Sequence, residues 1–272
     1  MKIHHLNCGT MCPLGGRLLL GDQPRLVCHC LLIETASGLV LVDTGIGLQD
    51  VVRPNRRLGW MFQGIVRPRL DAGETALRQV QRLGFQETDV RDIIVTHLDP
   101  DHAGGLSDFP HANVHLFSPE LDAAQNPADR MERTRYRAEQ WAHKPGFVRQ
   151  YINGEPWFGF DCVRKPHGLP PDILLVPLLG HSRGHAGVAV HTKTGWLLHA
   201  GDAYIHAGEL DHEKPGCPPG MLLHQRATSV NLRLCRKNVE RLRELAHEHS
   251  REVRVFSAHD PSELARLREG RQ

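Results

Sequence analysis

The sequence predicts an α/β protein in which two β-sheets pack as layers with helices on their outer faces. Strand-like runs come in two groups, residues 2–43 and 173–200, each followed by a helical pattern, at 74–83 and 229–249. Clustered strands, rather than strict strand–helix alternation, argue for a layered sandwich. A chain of 272 residues can bury a sizeable core and is within range for one such domain. We read 1–272 as that single domain, with its site where two roughly similar halves meet.

The elements follow from local pattern. Residues 2–8 and 26–34 read as strands, and Gly38–Asp43 as a third that exits into Thr44, Gly45, Ile46 and Gly47. Val51 to Asp71 is rich in Arg and Pro, shows weak periodicity, and reads as irregular, with Trp60, Met61 and Phe62 as an aromatic-rich cluster that either lines a pocket or packs as a surface loop. Ala76, Leu77, Val80 and Leu83 share one face of a helix that Gly84 stops. Asp92 to Thr96 is a β-branched strand, and Ala112 to Phe117 another. Ser118 and Pro119 then open a helix as N-cap and first residue. Residues 124–170 are the least regular part, with a helix expected near 130–142. Strands resume at 173–177, 187–191 and 195–200. Leu232, Cys235, Val239, Leu242 and Ala246 mark the clearest helix, and Val253–Phe256 a last strand before a short helix from Pro261. Pocket walls are expected from 51–70 and 124–170.

Composition excludes several classes. A net charge of +2 with interspersed signs gives no footprint for nucleic acid, and no apolar run is long enough for a membrane span. The N-terminus lacks the layout of a secretory signal. Seven cysteines, odd in number and without a CxxC spacing, read as reduced thiols of a cytoplasmic protein. Cys28, His29 and Cys30 look like a metal clip but lie inside a strand, where both cysteines face one way and His29 the other. Oligomeric state is open.

Nineteen histidines are the compositional outlier, so position has to decide among them. His97, Asp99, Asp101 and His102 place four potential ligands within six residues, just after a strand and just before Gly104 and Gly105. Imidazoles and carboxylates clustered at a strand end suit a divalent ion, since they donate lone pairs and cancel its charge. The alternative is a polar turn with surface histidines. Three further stretches repeat the form of an apolar strand followed by a ligand: Pro177–Gly180 before His181, Leu197–Gly201 before Asp202, and Val255–Ala258 before His259. One such coincidence is cheap; four in one chain are not. There is no Gly-x-Ser-x-Gly stretch for a serine nucleophile, and the glycines near residue 15 are not followed by the Lys-Ser or Lys-Thr of a phosphate loop.

Taken in order, Val42-Asp43-Thr44-Gly45, Thr96-His97-Leu98-Asp99-Pro100-Asp101-His102, Gly180-His181, Gly201-Asp202 and His259 resemble the signature of the metallo-β-lactamase-fold hydrolases over nearly the whole chain. The resemblance implies an αββα sandwich (two mixed sheets flanked by helices) with a dinuclear metal site, usually zinc. Carried over by position, His97 and His181 would bind the first metal, Asp101, His102 and His259 the second, and Asp202 both. Asp43 would position the loop and its ligands, and His185 matches a variable position behind the ligands or at the surface.

One departure matters. The family's second motif histidine is Asp99 here. As a ligand it would bring a third carboxylate, so that two ions, one hydroxide and the ligands sum to zero rather than to +1. Such a site is a weaker Lewis acid and accepts Mn²⁺ or Fe²⁺ more readily than a histidine-rich one.

The resemblance further implies a small-molecule hydrolase of the lactonase-like branch. There a metal-held hydroxide attacks an ester carbonyl, lactone being the leading class, while Asp101 orients the water or relays a proton. Tyr204, two residues after Asp202, is a candidate for hydrogen-bonding the substrate carbonyl or for a purely structural role. The alternatives are a thioester hydrolase of the same fold, an iron-dependent oxygenase, and a metal-binding protein without chemistry.

Overall fold

In the computed structural model, which describes residues 1–21 and 24–270, the chain builds two sheets face to face. Strands β1 (Lys2–Met11), β2 (Leu26–Thr35) and β3 (Gly38–Val42) form an antiparallel meander. The short β4 (Pro68–Arg69) adds to the outer edge of β1. β5 (Val90–Ile94), β6 (Asn113–Phe117) and β7 (Gly146–Gln150) then run parallel to β3, giving the order β4-β1-β2-β3-β5-β6-β7. A hairpin, β8 (Glu155–Trp157) with β9 (Phe160–Val163), leads into the second sheet. That sheet has β10 (Ile173–Pro177), β11 (Ala186–Thr192) and β12 (Gly195–His199) antiparallel, with β13 (Val253–Phe256) parallel to β12.

The period of two along each strand divides the core into three layers. Leu31, Ile33, Val40, Val42 and Ile94 point between the sheets and meet Leu175, Val188, Val190, Leu197 and Phe256. Their neighbours Leu32, Leu41 and Ile93 point the other way, onto Val80 of helix Ala76–Arg82 and onto Leu106. On the second sheet's outer face, Leu242 and Leu245 of helix Leu232–Glu248 cover Leu174, Val176, Leu198 and Val255. Asn231 caps that helix, its side chain accepting the Leu234 N–H at 3.1 Å. Helix, sheet, sheet, helix: the αββα sandwich is the fold.

Three segments differ from the sequence expectation. Residues 48–65 are not irregular but three short helices, Leu48–Val52, Pro54–Arg57 and Gly59–Ile65, each too short to show a period. Residues 124–170 hold β7 and the β8–β9 hairpin as well as helix Arg130–Arg135. Helix Pro219–Thr228 has only Met221 buried, so no apolar stripe announces it. No helix among the described residues is long and apolar enough to cross a membrane.

Candidate metal centre

The strand ends deliver the site to one rim. Asp43 follows β3, His97 follows β5, His181 lies on the β10–β11 connection, Asp202 follows β12 and His259 follows β13. Asp43 adopts a left-handed φ of 56°, which a short polar side chain tolerates. Buried there, its carboxylate accepts the Thr96 N–H at 2.7 Å and the Thr96 hydroxyl at 2.8 Å, and lies 2.8 Å from His102 Nδ1. One aspartate thus fixes the start of the motif loop and the ring at its end. Gly104 passes so close behind that a Cβ would lie 2.2 Å from Asp50 Oδ2. That carboxylate is in turn held by the buried Arg57, Nε to Oδ1 at 2.6 Å, and Arg57 also donates to the Gly104 carbonyl at 2.9 Å. The arginine-rich stretch 51–70 therefore braces the motif loop from behind, while Trp60 remains 80 % exposed.

Among the described residues two groups converge closely enough to hold an ion each: His97 with His181 and Asp202, and His102 with His259 and Asp101. Asp202 lies between them. Its Oδ1 is 3.2 Å from His102 Nε2 and 3.0 Å from His259 Nε2, and its Oδ2 is 3.9 Å from His97 Nε2 and 3.6 Å from His181 Nε2. Asp99 reaches the first group, Oδ2 lying 3.2 Å from His181 Nε2 and 3.4 Å from His97 Nε2. Asp101 Oδ2 is 3.6 Å from His259 Nε2.

These spacings and hydrogen bonds test the fit to a metal. A tetrahedral ion with bonds of about 2.0–2.1 Å sets its ligand atoms about 3.3–3.4 Å apart, in the middle of the spread seen here. The rings are also turned correctly. His259 Nδ1 is 2.7 Å from the Val27 carbonyl, which can only accept, so Nδ1 carries the proton. In the neutral ring, Nε2 then presents a lone pair. Asp43 imposes the same tautomer on His102, yet the two Nε2 atoms face each other at 3.3 Å. Two lone pairs aimed at one point call for positive charge between them, a proton or a metal ion. His97 Nε2 and Asp202 Oδ1 are buried without a hydrogen-bond partner, which is costly unless a further group satisfies them.

The charges agree. Burial alone would raise the Asp202 carboxyl, but His259 and His102 outweigh it and hold it well below the usual range. Burial likewise works against protonation of His102, while Asp202 and Asp43 pull its pKa well above the ordinary value. This is a pocket that demands positive charge. Burial, with Arg135 beside it, pulls His181 down to about 4 and leaves that ring neutral. The donor set fits two divalent ions.

Other side chains are placed differently from expectation. His185 is buried rather than at the surface: Nδ1 lies 2.9 Å from the Leu178 carbonyl, and Nε2 accepts the Asp202 N–H at 2.9 Å. A Cβ on Gly201 would lie 2.5 Å from that Nε2, so the residue before Asp202 has to be glycine. Tyr204 corrects a candidate role. Its ring is fully buried, and its hydroxyl donates to Glu263, 2.9 Å from Oε1 and 3.1 Å from Oε2, so it braces helix Pro261–Glu269 instead of facing substrate. Tyr204→Phe is therefore expected to cost about 1–2 kcal/mol of stability in a denaturant titration, with turnover within about threefold of wild type. A large loss of turnover at unchanged stability would contradict this placement.

Sequence reasoning overlooked Glu120 and Arg135. Glu120, read only as part of a helix start, is buried and accepts the Leu98 N–H at 3.0 Å, the Tyr136 hydroxyl at 3.2 Å, the Ser182 hydroxyl at 2.6 Å and the Gly184 N–H at 3.0 Å. Arg135 Nε lies 3.3 Å from Asp99 Oδ1. Burial by itself would raise the Asp99 carboxyl, but Arg135 and the neighbouring histidines hold it well below the usual range. His224, on helix Pro219–Thr228, lies within electrostatic range of Asp202, His259, Asp101 and Asp99. Beside Asp202 opens a cavity of about 280 Å³ lined by Gly216, Leu222, Gln225, Ser229 and Val239. Its walls come from residues 202–243, and a second cavity is lined by residues within 153–165 together with Leu174, His191 and Trp196.

Comparison with known proteins agrees with this architecture. The model of the metallo-beta-lactamase superfamily matches residues 24–248. A "probable metallo-hydrolase" of Mycobacterium tuberculosis is 43 % identical over 268 residues, covering 98 % of this chain and 83 % of that protein. An N-acyl homoserine lactonase of Bacillus cereus is 28 % identical over 196 residues, 72 % of this chain and 71 % of its own. A solved structure of an N-acyl homoserine lactone hydrolase, with N-hexanoyl-L-homoserine at its catalytic metal centre, superposes with a TM-score of 0.71 at 22 % identity, covering 97 % of this chain and 95 % of that one. The chain belongs to the metallo-beta-lactamase superfamily and is an enzyme of the metallo-hydrolase class.

Proposed function

We propose that this enzyme hydrolyses a small carbonyl ester, a lactone being the leading class, at a pair of divalent ions. The observation that carries the reading is Asp202, which turns one carboxylate oxygen toward each ligand group. The lactonases among its relatives narrow the substrate class. His97, His181, Asp99 and Asp202 would hold the first ion, and His102, His259, Asp101 and Asp202 the second. Zinc is the leading identity, and the extra oxygen donor of Asp99 also suits Mn²⁺ or Fe²⁺. Bound there, the ions would lower the pKa of a water to near neutrality and polarise the carbonyl.

The chain's own residues supply the rest. Asp43 and the Val27 carbonyl keep the His102 and His259 rings in the tautomer that leaves Nε2 free. Asp101 has a partly exposed carboxylate at the rim, 13 % accessible, and can take the proton of the attacking water and return it to the leaving oxygen. The 280 Å³ cavity beside Asp202 offers a small molecule mixed apolar and polar walls. Seven free thiols fit a reducing compartment such as the cytoplasm.

Dialysis against a strong chelator is expected to abolish hydrolysis across a lactone, ester and thioester panel, and added Zn²⁺ to restore it, lactones being turned over fastest. Undiminished lactone turnover by metal-stripped protein would overturn the reading.

A further inference from the structure

Asp99 brings a negative charge into a buried site, and its two oxygens have different surroundings. Oδ2 faces the nitrogens of His181 and His97, at 3.2 and 3.4 Å. Oδ1 is sealed from solvent without a hydrogen bond and looks at Nε of Arg135, 3.3 Å away. The guanidinium is itself nearly buried, its side chain 5 % exposed. Nη1 donates to the His181 carbonyl at 2.7 Å, and Nη2 donates to the Thr228 carbonyl. One side chain therefore joins the carboxylate, the loop that carries His181, and the end of helix Pro219–Thr228.

Neither charge is comfortable alone. A buried ion without a partner is costly, and a third carboxylate lowers the net charge of a two-ion site by one. The guanidinium cancels both. Its rigid fork suits the task, since two nitrogens can be spent on carbonyls while a third still addresses the carboxylate.

We propose that Arg135 is a positioning residue for the first metal, forming with Asp99 one unit that takes the place of a neutral imidazole. The guanidinium returns the charge that the extra carboxylate removes and keeps Oδ2 turned toward His97 and His181. This rests on the two-ion reading above. Its consequence is that losing either partner costs more than losing both. With histidine at 99 the buried arginine loses its ion-pair partner, and with a neutral residue at 135 the site carries an excess carboxylate.

The test is a double-mutant cycle read as metal affinity rather than as turnover. Arg135→Gln, Asp99→His and the double variant are loaded with Zn²⁺ and titrated against a competing chelator, with metal per chain from elemental analysis and folding from circular dichroism. Each single variant is expected to bind the weaker ion about tenfold less tightly than wild type, and the double variant to return to within about threefold. Additive losses in the double variant, or wild-type affinity in Arg135→Gln, would overturn the proposal. Should Arg135→Gln not fold, Arg135→Lys decides. It keeps the charge but not the fork, so it is expected to bind the weaker ion about threefold less tightly, a smaller loss than that of Asp99→His. A loss equal to or greater than that of Asp99→His counts against the proposal. A wild-type stoichiometry of one ion, unchanged in every variant, would instead overturn the two-ion reading and this inference with it.

Discussion

Asp202→Asn is expected to cut hydrolysis by about 10³-fold and to lower the metal content from two ions per chain toward one. The substitution keeps the shape of the side chain and removes what the site uses. Asparagine offers one carbonyl oxygen and two N–H donors. If its oxygen faces His102 and His259, the amide nitrogen faces His97 and His181, and the reverse rotamer blocks the second group instead. Either way one ligand group meets a donor where it needs a lone pair, and one negative charge is lost among buried imidazoles. Metal stabilisation of transition-state charge is worth several kcal/mol, and a loss of about 4 kcal/mol corresponds to about 10³ in rate. Elemental analysis beside steady-state kinetics checks both halves. Two tightly held ions with wild-type turnover would show that Asp202 does not join the two groups.

How much of this was legible in the sequence depends on where each interaction closes. The strands of the two sheets are short, β-branched and buried on both faces, so Gly38–Val42 and Ile173–Pro177 announce themselves without help. Each candidate ligand directly follows such a strand or sits beside a glycine turn, so the four stretches stand out by residue type alone. What escaped closes over long sequence distances. Tyr204 sits two residues from Asp202, which drew it toward the site, but its partner is Glu263, far along the chain, and that contact decides its role. Arg135 lies in a charged stretch where one arginine looks like the next until the fold seals it against Asp99. Within 51–70 the conspicuous aromatic Trp60 stays exposed, whereas the ordinary-looking Arg57 is the residue that is buried. The cavity beside Asp202 is walled largely by helices whose outward residues look ordinary.

Glu120 is the clearest case of a residue whose importance lies only in the fold, and Glu120→Gln carries the second large expected effect. Both carboxylate oxygens are fully spent. Oε1 takes the Leu98 N–H, between His97 and Asp99, together with the Tyr136 hydroxyl, and Oε2 takes the Ser182 hydroxyl and the Gly184 N–H, just after His181. Each oxygen holds one backbone N–H, which can only donate, so only a group that accepts at both positions satisfies them. The glutamine NH₂ would replace one oxygen and confront a backbone N–H in either orientation, while the hydroxyl beside it can turn to accept. The backbone cannot rearrange cheaply either, because Gly184 packs so tightly that a Cβ there would lie 2.3 Å from the Glu120 nitrogen. Losing hydrogen bonds to a buried charged acceptor costs about 1.5–3 kcal/mol. Displacing the groups that orient metal ligands costs about 10–100-fold in metal affinity. The loss should fall on one ion. Glu120 braces the loops of His97, Asp99 and His181, whereas His102 and His259 are held by Asp43 and the Val27 carbonyl. A chelator titration of Glu120→Gln should accordingly show one ion weakened and the other near wild-type affinity, with a lowered melting temperature. Equal weakening of both ions would mean that Glu120 supports the fold at large rather than the first metal's ligand loops.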